Sequence, residues 1–166
     1  MKFTLHDLRL QRIGEPPKAV ESMAPVDYIH LTAQLQLEFA GKIIQMIDGD
    51  GRWVGVHRFA EKICALRDWL AVPQERDQMI IDTHAIGGYG MRFRLADGGV
   101  VVTVRKNEDR SSEQLREVLE TEAVLDALRA FKHQLRSELT SRVSPAAANR
   151  TWSKCFNFDV DADPFV

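Results

Sequence analysis

The stretch Tyr28-Ile29-His30-Leu31-Thr32-Ala33-Gln34-Leu35-Gln36-Leu37-Glu38-Phe39-Ala40-Gly41-Lys42-Ile43-Ile44-Gln45-Met46-Ile47 reads as a β-hairpin. Ile29, Leu31, Ala33, Leu35, Leu37 and Phe39 fall on one side of an extended chain. Tyr28, His30, Thr32, Gln34, Gln36 and Glu38 fall on the other. Successive side chains of a strand point to opposite faces, so this alternation describes a strand buried on one face and wetter on the other. Ala40-Gly41 supplies the turn and residues 42–47 return antiparallel.

The flanking sequence extends the pattern. Phe3 and Leu5 alternate with polar neighbours, while Leu8 and Leu10 continue one residue out of phase, a slip that a bulge at His6 and Asp7 absorbs. Gly14-Glu15-Pro16-Pro17 breaks regular structure, and a loop is expected to about Pro25. After Asp48-Gly49-Asp50-Gly51 the period becomes helical from Val54, with Val56, Phe59, Ile63, Leu66 and Leu70 at spacings of three or four. Pro73 disfavours helix in the residue before it, which ends this helix near Ala71. Met79-Ile80-Ile81 reads as a short strand. Met91, Phe93 and Leu95 alternate with arginines, Asp97-Gly98-Gly99 turns the chain, and Val100, Val102 and Val104 run back as a second hairpin.

Residues 111–142 admit two readings. Ser111 with Gln114 resembles a capping box for one long helix. The apolar stripe of Leu115, Val118 and Leu119 nevertheless meets Glu122, then restarts as Leu125, Leu128, Phe131, Leu135 and Leu139. The preferred reading is an extended segment near residues 113–119 and a helix capped by Thr121. Trp152, Phe156, Phe158 and Phe165 are expected to pack an irregular tail, residues 144–166, onto the rest of a single domain spanning residues 1–166. The fold class is α+β: an antiparallel sheet of two hairpins plus short strands, with two main helices packed on one face.

A chain of 166 residues with 45% hydrophobic and 28% charged residues is sized for one core without staples. The 22 basic and 24 acidic residues leave a net charge of −2 and are interspersed. A nucleic-acid partner, which a basic stripe would signal, is therefore not expected. The most basic window, residues 92–105, reads as the polar face of the second hairpin. The N-terminus lacks the apolar core of a signal peptide, and no apolar run is long enough to span a bilayer. The expectation is a cytoplasmic protein without membrane contact.

Chemistry-bearing motifs are sparse. Cys64 and Cys155 are single and far apart, Cys64 within an apolar helical pattern; they form neither a CxxC pair nor a disulfide framework. His6, His30, His57, His84 and His133 fit no metal-ligand spacing, so no metal or other cofactor is expected. Position twelve after Asp48 is Phe59, which excludes a calcium loop there, and Asp159, Asp161 and Asp163 read as a solvated acidic end. The most enzyme-like stretch is Asp82-Thr83-His84 before Gly87-Gly88-Tyr89-Gly90, where an acid could orient an imidazole beside exposed backbone amides. It lacks phosphate-loop spacing, and the preferred reading of its glycines is as bends in a connection between two strands. The polar row Tyr28, His30, Gln34, Gln36 and Glu38, with Trp53 as an aromatic anchor, is the candidate binding surface.

Residues 28–39, the helix containing Ala65-Leu66-Arg67-Asp68-Trp69-Leu70 and the late helix containing Ala127-Leu128-Arg129-Ala130-Phe131 together resemble small bacterial proteins of unknown function, some of them similar to immunity proteins that neutralise toxins. The resemblance lies in topology and hydrophobic spacing and names no site residues; it implies a binding role. The leading expectation is a non-catalytic module that binds a protein partner. The alternatives are a small enzyme using Asp82 and His84, and a homo-oligomer, such as a homodimer, assembled through edge strands.

Overall fold

In the computed structural model, which describes residues 1–12, 14–46, 53–72, 78–82, 89–106 and 114–156, the chain opens with strand β1 (Lys2–Leu10). The two-residue β2 (Lys18–Ala19) pairs with its end. Two 3-10 segments, Val20–Ser22 and Pro25–His30, lead into the hairpin of β3 (Leu31–Phe39) and β4 (Lys42–Met46). A short β5 (Val54–Gly55) also pairs with β3 and runs directly into helix α1 (Val56–Ala71). The first sheet is antiparallel, in the order β2-β1-β3-β4. Its bulge lies where the hydrophobic pattern slips: the β1–β3 register shifts between His6 and Arg9, and Asp7 takes a φ of 50°. Both turn residues of the β3–β4 hairpin, Ala40 and Gly41, have positive φ, as a tight turn matched to strand twist requires.

The second sheet is a meander of β6 (Gln78–Asp82), β7 (Tyr89–Ala96), β8 (Gly99–Lys106) and β9 (Leu115–Leu119). Helices α2 (Thr121–Arg142) and α3 (Pro145–Cys155) complete the described chain. The hairpins therefore build two sheets, where one was expected. Helix α1 comes between them in sequence and touches both β3 and β6, so each hairpin recruits its own short strands.

Local chemistry accounts for the other departures. The strand expected from Tyr28 begins at Leu31, and Ile29 is 56% exposed. Pro25 at the start of the 3-10 segment and the Asp27 carboxylate accepting from the Ala24 amide wind those residues before alternation can take over. The first helix begins at Val56, because Val54 and Gly55 pair with β3. The second helix is preceded by Glu120, whose carbonyl accepts the first helical bond from Val124, so Thr121 is already helical. The extended reading of the segment before it holds, as β9. Residues 145–155, expected to be irregular, form α3: the Ser144 hydroxyl accepts from the Ala147 amide and Pro145 opens the first turn.

One hydrophobic core joins the inner faces of both sheets to the helices. At its centre Phe3, Phe59 and Phe131 meet edge to face, with centroids 5.1 to 6.4 Å apart. Gln134 of α2 accepts from the Leu5 amide and donates to the Leu5 carbonyl, both at 2.9 Å. The helix thereby satisfies backbone groups that β3 does not reach and closes that stretch of sheet edge.

Candidate functional site

The outer face of the second sheet gathers four arginines. Met91 and Phe93 of β7 and Val100, Val102 and Val104 of β8 point into the core. The strand alternation then turns Arg92, Arg94, Thr103 and Arg105 outward. Register places Ile80, Arg92, Thr103 and Arg116 in one row across the four strands, and Gln78, Arg94, Val101 and Val118 in the next. Arg105 stands opposite Gly90 at the adjoining end, and Gly90 in turn pairs with Asp82 of β6. All four arginines are exposed, as are Ile80 (49%) and Val118 (61%).

These arginines differ from others in the chain. Arg12 holds Asp27 and Glu15, Arg67 holds Asp68, Arg129 holds Glu122 and Asp126, and Arg142 holds Glu21 and Glu138. Among the described residues no carboxylate pairs with Arg92, Arg94, Arg105 or Arg116. Like charges on adjacent strands repel, so the arrangement stabilises nothing within the chain.

The residues expected to form the binding surface are divided among three places. Gln34, Gln36 and Glu38 do share the outer face of the first sheet, with Gln36 hydrogen-bonded to His6 at 3.1 Å. Tyr28 lies in the 3-10 segment, edge-on to His57 and 6.0 Å from the Arg150 guanidinium. His30 ends that segment, beside Glu15 and Asp27. Trp53 is 7% exposed and lies against the Arg9 guanidinium, 3.0 Å from the ring centre, so it is an internal packing residue and not an exposed anchor. Asp82 closes β6 opposite Gly90, and His84 lies outside the described residues, as do Gly87, Gly88 and the aspartates at 48, 50, 159, 161 and 163.

A cleft of about 270 Å³ is lined by Leu10, Arg12, Glu15, Pro16, Lys18, Ser22 and Asp27. Its charged groups are already matched: Arg12 with Asp27 and Glu15, and Lys18 with Glu15. The Ala24 amide and Arg12 hold the Asp27 carboxyl below its ordinary range. Cys64 and Cys155 are both free and buried, and burial raises both thiols out of the reactive range. Among the described residues no group of three or more histidine, cysteine or acidic side chains could hold a metal ion. Among them, too, no helix is long and apolar enough to cross a membrane.

Arg92, Arg94 and Arg105 were visible in the sequence as a hairpin's polar face. Arg116 was not connected to them, because only the β8–β9 register brings it opposite Thr103. Comparison with known protein families, with characterised proteins and with solved structures finds no match for this chain.

Proposed function

We propose that this protein is a non-catalytic binding module that presents the outer face of its second sheet to a protein partner. One observation carries the reading: four exposed arginines and two exposed aliphatic side chains share a rigid four-stranded face, and nothing in the described chain neutralises or covers them. Arginine is enriched at interfaces because its fork makes paired hydrogen bonds while its stem packs against apolar surface. The immunity-like reading is the special case in which that partner is a toxin. The surface first expected, on the opposite sheet, is the weaker candidate because its residues are divided among three places and Trp53 is buried against Arg9.

The test is affinity capture from the cells that make the protein, using three baits. Wild type and a Gln36→Glu/Glu38→Lys variant are expected to retain the same partner in equimolar amount. An Arg92→Glu/Arg94→Glu variant is expected to lose it. Absence of any equimolar partner, or its retention by all three baits, contradicts the proposal.

A further inference from the structure

The geometry points to a partner recognised through carboxylates set in an aliphatic strand or ridge, with Thr103 at the centre of the site; this rests on the binding reading above. Arg92 and Arg116 are the direct cross-strand neighbours of Thr103, one on each side. Directly opposed residues have Cβ atoms about 5 Å apart. Arg105 stands two residues along the same strand, about 6.6 Å away at roughly 3.3 Å per residue. Three exposed arginines are thus sheet neighbours of one half-buried threonine. On the opposite side of Thr103 the surface turns apolar: Val101 lies two residues back and is 6% exposed, and Val118 stands beside it at 61%. Arg94 borders that apolar patch.

Charge next to aliphatic surface selects the class of partner. Paired arginines hold carboxylates through parallel hydrogen bonds. The exposed Val118 and Ile80 offer contacts that a phosphate backbone cannot use. A single-stranded nucleic acid would need aromatic platforms for its bases, and the described outward positions hold none. The whole chain is also slightly acidic, at −2, so the remaining residues repel a long polyanion. An acidic segment interleaved with aliphatic side chains satisfies both halves of the face. A strand alternating every second residue presents carboxylates at the same spacing as Arg92 and Arg94.

Fluorescence anisotropy with three labelled probes of equal charge tests this: an alternating Glu-Val decapeptide, a polyglutamate and a single-stranded oligonucleotide. The Glu-Val peptide is expected to bind tightest. Arg92→Gln/Arg116→Gln should weaken it at least about tenfold while the melting temperature holds or rises, because the substitution relieves like-charge repulsion. Val118→Ser should weaken the Glu-Val peptide and leave polyglutamate binding unchanged. Equal binding of wild type and the double variant overturns the proposal. So does tighter binding of the oligonucleotide through the same arginines, which would make the face a nucleic-acid surface. If no peptide binds but the captured partner still requires Arg92 and Arg94, the carboxylate inference falls and the binding module stands. If neither result is obtained, both fall.

Discussion

Single residues decide several features that the hydrophobic pattern leaves open. Ala40 sits at φ 52°, a left-handed conformation that costs a non-glycine residue about 1 kcal/mol. Ala40→Asn should raise unfolding free energy by about that amount in chemical denaturation, since Asn-Gly favours this turn. Gln134→Leu should cost about 2 kcal/mol by the same measurement, because it strips the Leu5 amide and carbonyl of their partners. Asp27 sets a pH dependence. Its carboxyl lies below the unfolded value, so its contribution is complete above about pH 4 and is lost as pH falls through the lowered folded value. Acid titration of wild type should therefore show a steeper loss of stability below pH ~4 than Asp27→Asn shows. Neither Asp27 nor Gln134 could be assigned from sequence. The Asp27 partner Arg12 is across a loop, and Gln134 reaches Leu5 from 129 positions away.

At the scale of elements, the sequence was legible wherever one face was buried and the other wet. The β3–β4 and β7–β8 hairpins, the β1 bulge and the span of α1 to Ala71 all follow from alternation or helical spacing. Local caps were less legible: Pro25 with Asp27 wound the strand's expected first residues into a 3-10 segment, and Ser144-Pro145 started a helix where only a tail was foreseen. The Ser-Pro pair ahead of an alanine run was the available signal for α3. How the hairpins distribute between sheets was not legible, since pairing partners depend on tertiary contacts and not on either strand's own pattern. The β8–β9 pairing that brings Arg116 to the site depends on Gly99. A Cβ there would clash with the Leu119 carbonyl oxygen, at a φ of 151°. Gly99→Ala should destabilise the protein by at least about 2 kcal/mol and loosen β9 first, seen as faster amide exchange at residues 115–119.

For the whole molecule, the continuous core and the open sheet face have separate roles. The Phe3, Phe59 and Phe131 cluster ties the first sheet to α1 and α2, and the same core continues from these helices to the second sheet, so Phe131→Ala should cost about 3–5 kcal/mol and both sheets should unfold in one transition. The arginine face contributes little to that stability. It gives a chain of net charge −2 one basic side, and under the proposed function that side would steer an acidic partner to a defined orientation. An amide chemical-shift titration with the Glu-Val peptide tests this most directly. The expected shifts concentrate at Arg92, Arg94, Thr103, Arg105, Arg116 and Val118, with Gln34, Gln36 and Glu38 unmoved. Shifts confined to the first sheet, or spread evenly over both, would contradict it.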